Sequence, residues 1–225
     1  MNKPYLPVIS AVVLGGNGAL GALFCAKFAG DGIATTSIDV APAPAARPRN
    51  VVYVDSDVRA LSGDAKRILS EADWVVAALP EGVLLETWQG IVSLLKQGAL
   101  FVDTLSVKLP LVTAMTGRLP RTIEQLSINP MFAPSLDFAN QSVAVIEASR
   151  AVQADRFLRL MQQWGATLHM LSAEQHDRCA AALQTATHAA ILAFGLAMRR
   201  LDYDVEAMLP VMTPPHRALL SLLAR

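Results

Sequence analysis

The chain has 225 residues, 53% of them hydrophobic and 17% charged, with 19 Lys plus Arg against 19 Asp plus Glu. That length suits one large domain or a medium domain with a smaller appendage. The zero formal charge leaves no electrostatic footprint for nucleic acid or an anionic membrane. Cys25 and Cys179 fall in predicted helices without metal-like spacing, which predicts two buried free thiols and a reducing, cytoplasmic setting, with no metal site. The N-terminus lacks a basic segment followed by a cleavable apolar core, and Pro4 and Pro7 interrupt it. The stretch from Cys179 to Met198 is uncharged and near membrane-spanning length. It carries Gln184, Thr185, Thr187 and His188, and much of its apolarity is alanine, so it reads as a helix in a protein interface of a soluble protein.

In chain order, the apolar run Ile9 to Leu14 is short and β-branched, which predicts a buried strand. Gly15-Gly16-Asn17-Gly18-Ala19-Leu20-Gly21 follows, matching G-x-G-x-x-G at Gly16, Gly18 and Gly21. Gly16 is expected to allow the tight turn, Gly18 the approach of a pyrophosphate, and Gly21 close packing of helix on sheet. With Asn17, Ala19 and Leu20 they form the expected phosphate loop, at the start of a helix running to about Ala29. A second apolar run, Ile33 to Ile38, ends at Asp39, at the offset of about 20 residues expected for an acid on the ribose hydroxyls. A carboxylate there repels a 2′-phosphate and favours NAD over NADP.

Further strands are predicted at Val51 to Val54, Trp74 to Leu79 and Ala99 to Val102, with helices at Ala65 to Leu69 and Val83 to Leu95. Strands alternating with helices predict a Rossmann-type α/β domain, a doubly wound and mostly parallel sheet with ligands at the carboxyl ends of its strands. Leu79, Pro80 and Asp103 then join the cofactor edge. Ser127 to Asn129 reads as the end of a sixth strand and Val143 to Ile146 as another. A helix from Ala151 to Trp164 precedes a final strand at Thr167 to Leu171. From Ser172 a long helix runs to about Arg200, and two short helices, Val205 to Leu209 and His216 to Ala224, complete the chain. The expected division is 1–171 for nucleotide binding and 172–225 for an all-helical substrate and dimerisation region.

Four stretches in this order resemble the prephenate dehydrogenases: the glycine loop, Asp103-Thr104-Leu105-Ser106-Val107-Lys108, Asn129-Pro130-Met131-Phe132-Ala133-Pro134 and Ser172-Ala173-Glu174-Gln175-His176-Asp177-Arg178. The resemblance is to the dehydrogenase part of the chorismate mutase–prephenate dehydrogenases, with no mutase helix expected ahead of the glycine loop. It implies an NAD-dependent oxidative decarboxylation in which hydride leaves ring C4, CO2 leaves the ring and the ring aromatises. It also implies that Ser106 lies near the nicotinamide and the C4 substituent, that Arg217 binds a substrate carboxylate, and that His176 and His188 line or support the substrate site. Lys108 supports the turn or the phosphates, unless it is simply solvated. A homodimer through the C-terminal helices is implied too, reduced here by a short tail.

The chain departs from the family at Asn129, where the family has a histidine that draws the proton from the C4 hydroxyl, and at Ala133, where glycine is usual. Asparagine hydrogen-bonds but takes no proton near neutral pH. Three readings follow. The substrate carries an amine at C4, as in 4-amino-4-deoxyprephenate; or the chain acts on prephenate with another base; or it binds NAD without turnover.

Overall fold

The computed structural model describes residues 9–45, 47–146, 152–201 and 204–224. Pro4 and Pro7, and the expected helix start at Ala151, lie outside them. Among the described residues eight strands form one sheet: β1 Ser10–Leu14, β2 Ala34–Asp39, β3 Val51–Asp55, β4 Trp74–Ala77, β5 Leu100–Asp103, β6 Glu124–Pro130, β7 Ser142–Ile146 and β8 Thr167–Leu171. Their spatial order is β3-β2-β1-β4-β5-β6-β7-β8. Pairing is parallel from β3 through β6, antiparallel between β6 and β7, and parallel again from β7 to β8. The reversal follows from the connection. Only residues 131–141 join β6 to β7, with one turn of 3₁₀ helix at Pro134–Leu136, and a parallel return needs a crossover of a dozen or more residues, usually a helix.

The helices are α1 Ala19–Gly30, α2 Gly63–Glu71, α3 Glu81–Leu94, α4 Leu109–Met115, α5 Val152–Gln163, α6 Ala173–Arg200, α7 Val205–Met208 and α8 Pro214–Leu223. The side-chain period of two splits β1 between both faces of the sheet. Ala11 and Val13 join one core cluster, with Phe24, Phe28 and Phe157, while Val12 and Leu14 join the other, with Leu69, Leu84 and Ile91. The first cluster is strongly aromatic. Phe24 packs against Phe28, Phe138, Phe157 and Trp164, and Trp74 meets Phe157 edge-on with centroids 5.2 Å apart. Phe138 ties the loop after β6 into this core, and the Lys27–Asp137 ion pair at 2.6 Å pins the same loop to α1. The carboxylate of Glu124, at the start of β6, accepts from the N–H groups of Gln153 and Ala154 and so caps α5.

The chain divides into two compact units, Met1–His176 and Asp177–Arg225. The division falls inside α6, five residues beyond the end expected at Leu171. The second unit comprises most of α6 with α7 and α8. In α6 Leu183, Leu192 and Leu196 are exposed, and the helix is long and apolar enough to cross a membrane by length and composition alone. Cys179 is exposed as well, contrary to the expectation of two buried thiols, and the next turns of α6, residues 181–190, are exposed throughout.

Candidate active site

The carboxyl ends of β4, β5 and β6 open onto a cleft of about 340 Å³, lined by Leu20 of α1, Ala78 to Glu81, Thr104 to Ser106, Asn129, Pro130, Phe132 and Pro134. The sheet order turns back between β1 and β4, the point at which doubly wound folds bind their ligands.

The glycine loop enters this edge from β1. The tight turn belongs to Gly15, not to Gly16: Gly15 has φ +74°, and a Cβ on it would lie 2.2 Å from the carbonyl oxygen of Ala78. Gly16 is fixed by proximity instead, with Ser37 Oγ 2.4 Å from where its Cβ would be. A Cβ on Gly21 would lie 2.1 Å from the Gly15 oxygen, so the close approach that requires glycine there is that of α1 to the loop, whereas the motif predicts packing on the sheet. Gly18 differs, since its Cβ would meet only an ordinary contact at 3.4 Å. Packing does not demand glycine there, whereas a pyrophosphate approaching the backbone would. Gly18 is also the N-cap of α1, with no side-chain cap and no acid in the first turn. The N–H groups of Ala19, Leu20 and Gly21 therefore open onto the loop, as an anion requires. The residues present fit a dinucleotide.

Asp39 closes β2 and reaches the same loop. Its Oδ2 accepts from the backbone N–H of Asn17 and its Oδ1 from that of Ala41, both at 2.9 Å. An ionised carboxylate has about four acceptor sites, so both oxygens keep capacity for ribose hydroxyls. Asn17 holds the arrangement by its side chain, accepting from Ser37 Oγ at 2.7 Å and donating to the Ala41 carbonyl at 2.6 Å. Its role is thus to brace Asp39, and its own N–H is not turned to a phosphate. Nearby, burial and then the charge of Asp39 push the Cys25 thiol up to about 12, which leaves it inert as a nucleophile.

Asp103 does not join the cofactor site. It is fully buried, and its Oδ1 pairs at 2.7 Å with Lys108 Nζ, itself fully buried. Lys108 also donates to the Ile128 carbonyl at 2.6 Å. The ammonium therefore ties the end of β5 and the turn after it to β6, one residue before Asn129, so it is neither solvated nor turned to the phosphates. Ser106, at the tip of that turn, is exposed in the cleft.

Asn129 lines the cleft at the end of β6 and is 5% exposed. Its amide nitrogen lies 3.0 Å from Nε2 of His176 and 3.3 Å from the sulfur of Met131. His176 is buried behind Asn129 and is not among the cleft-lining residues, so it supports the wall and does not itself meet a ligand there. His188 and Arg217 belong to the second unit, where both are exposed; Arg217 donates to the Leu209 carbonyl at 3.4 Å. The cleft lining adds Thr104, Glu81 and Phe132 to the residues expected from the sequence. Thr104 and Phe132 stand within the quoted motifs, which was the available signal for them.

A glycine loop with an open helix start, an acid closing β2 and a cleft across the neighbouring strand ends define a dinucleotide-binding protein of the Rossmann class with an adjoining substrate site. No protein-family model matches the chain. Over 217 residues it is 40% identical to a 4-amino-4-deoxyprephenate dehydrogenase of Streptomyces pristinaespiralis, covering 95% of this chain and 71% of that one. It is 28% identical to the T-protein of Enterobacter agglomerans, of which it spans about half, 52%. In fold it matches the prephenate dehydrogenase of A. aeolicus solved with hydroxyphenyl propionate and NAD+, with a TM-score of 0.65 at 15% identity, over 94% of this chain and 73% of that one. The chain belongs to the prephenate dehydrogenase family of oxidoreductases.

Proposed function

We propose that the chain catalyses the NAD-dependent oxidative decarboxylation of 4-amino-4-deoxyprephenate to 4-aminophenylpyruvate, CO2 and NADH. The observation that carries this reading is Asn129 in the cleft, at the position where the resembled family has its proton-accepting histidine. The Streptomyces relative bears the name of the same activity. Glycine-loop amides with Asp39 hold the dinucleotide, and bound NAD supplies the acceptor for the hydrogen that leaves ring C4 with its electron pair. Ser106 and Asn129 hold the C4 substituent. The family resemblance makes Arg217 the candidate for a substrate carboxylate and His188 a candidate to face the substrate.

The amine makes a base dispensable. As the C4–H bond gives up its pair, nitrogen donates its lone pair into the developing cation. The bond to the ring carboxylate then returns a pair to the ring as CO2 leaves, and the nitrogen keeps both hydrogens. A hydroxyl is the weaker donor and gains by handing its proton to a base, which Asn129 cannot take. Initial rates of NADH formation with 4-amino-4-deoxyprephenate and with prephenate, side by side, test the reading. Turnover of the amine alone, or by a wide margin, supports it. Equal rates, or none with the amine despite NAD binding, overturn it.

NAD is the expected cofactor over NADP because Asp39 places a carboxylate where a 2′-phosphate would lie. Asp39→Ser removes a charged acceptor worth about 1.5–3 kcal/mol, so the KM for NAD should rise at least about tenfold and the preference over NADP should shrink. Unmodified protein that uses both cofactors equally would refute this role.

The exposed leucines of α6 fit a second copy of this chain better than lipid, since the helix carries Gln184, Thr185, Thr187 and His188 along its length. A soluble, cytoplasmic homodimer joined through the helices after Ser172 is expected, and sedimentation at micromolar concentration should show it. Leu192→Glu with Leu196→Glu should yield monomer. A unmodified chain that sediments only as monomer rules the dimer out.

A further inference from the structure

The amide of Asn129 has a fixed orientation. A thioether sulfur accepts hydrogen bonds and donates none, so the group 3.3 Å from Met131 Sδ has to be the amide nitrogen and not the oxygen. The same nitrogen is 3.0 Å from Nε2 of His176, and an amide nitrogen only donates. Nε2 therefore accepts, and the neutral ring carries its proton on Nδ1. Both N–H bonds of the Asn129 amide are thus directed at fixed partners, His176 and Met131. The carbonyl oxygen accepts no hydrogen bond among the described residues, and Asn129 lines the cleft, so this oxygen is what the side chain has left for a ligand.

From this geometry we infer that His176 is a positioning residue for the substrate nitrogen: with Met131 it holds Asn129 as a hydrogen-bond acceptor only, which keeps the amine's lone pair unengaged. The inference rests on the amine-substrate reading and deepens it. An amide free to turn could present its NH2 to the substrate nitrogen and donate a hydrogen bond to the lone pair. That contact would bind the substrate and draw off the electrons that must flow into C4 as its hydrogen departs. An amide held with its oxygen forward takes an N–H of the amine instead and leaves the lone pair to the ring. His176 therefore acts on the chemical step and not on affinity, and it does so without touching the substrate.

One NMR measurement and three variants test this. In the unmodified protein without substrate, nitrogen NMR of the histidines should find Nε2 of His176 bare and Nδ1 protonated at neutral pH. The opposite tautomer would overturn the inference whatever the substrate proves to be. His176→Leu should lower kcat for 4-amino-4-deoxyprephenate about tenfold, the rate equivalent of one net hydrogen bond, with little change in KM. His176→Gln, whose side-chain oxygen can accept from the same N–H, should recover much of that loss. An unchanged kcat in His176→Leu, a loss confined to KM, or a Gln variant no better than Leu would each overturn it. Met131→Leu keeps the side-chain bulk and removes the sulfur acceptor, so it should show a smaller fall in kcat of the same kind, and no fall would overturn the share assigned to Met131. Failure of the substrate reading would appear separately, as a fast reaction of unmodified protein with prephenate alongside the expected tautomer.

Discussion

Asn129→His is expected to raise turnover of prephenate by a factor of about 10² to 10⁴, the usual worth of a positioned general base. The site is already shaped for such a residue. Asn129 ends β6 at the cleft, its backbone is held by the antiparallel register with Ala144 of β7, and Lys108 anchors the preceding carbonyl. An imidazole there can hydrogen-bond to His176 with one nitrogen and face the C4 hydroxyl with the other. The same change should slow the amine substrate, because the new ring pairs badly with an ammonium and removes the acceptor oxygen. The result is a reversal or strong narrowing of preference, read from kcat/KM for both substrates in both proteins. Unmodified protein that oxidises prephenate at the rate of the histidine variant would mean that another group or a water does the proton work, and the reason given for Asn129 would fail.

Most of the nucleotide-binding half was legible because parallel strands covered on both faces carry continuous apolar runs. Val75-Val76 and Phe101-Val102 are of this kind and are wholly buried. What escaped was structure specified by distant partners. The start of β6 is polar, Glu124-Gln125, and its pattern makes sense only once Glu124 is seen capping a helix about thirty residues on. Helix α4 is seven residues long with Pro110 in its first turn, too short for a periodicity to show. Its proline, at the second helical position, is the one local start signal it carries. Asp103 looked like a ligand because it ends a strand on the binding edge, yet Lys108 five residues later was the sign that the acid was already paired. Gly16 fills the first place of the motif, while the backbone puts its positive φ one residue earlier, at Gly15. At the site, Asn129 was legible as a departure from the motif, and His176 as a motif position. Their contact was not, since 47 residues separate them and only the fold brings the first turn of α6, with His176, to the end of β6.

Lys108→Met is the substitution expected to cost the most stability. It leaves the Asp103 carboxylate wholly buried without its cation, and breaking such a pair from one side costs about 3–5 kcal/mol. Domains as a class are stable by only about 5–15 kcal/mol, so the melting temperature should fall by about 6–20 °C at the usual scaling for this chain length. The pair is not an optimised source of stability. Asp103 Oδ2 and the hydroxyl of Ser127, its register partner on β6, are both buried without a hydrogen-bond partner among the described residues. Removing both charges should therefore recover most of the loss: Lys108→Met with Asp103→Leu is expected to melt well above Lys108→Met alone, since apolar groups of similar size often replace a buried pair at little or no cost. Activity should not recover with it. Lys108 also holds the Ile128 carbonyl next to Asn129, and without that contact the end of β6 loses its tie to the Ser106 turn. A double variant restored in melting temperature but low in kcat is the expected outcome. One that is restored in both would show that the pair stabilises the sheet and has no part in holding the site, and a single variant that melts with the unmodified protein would show that the two charges do not meet.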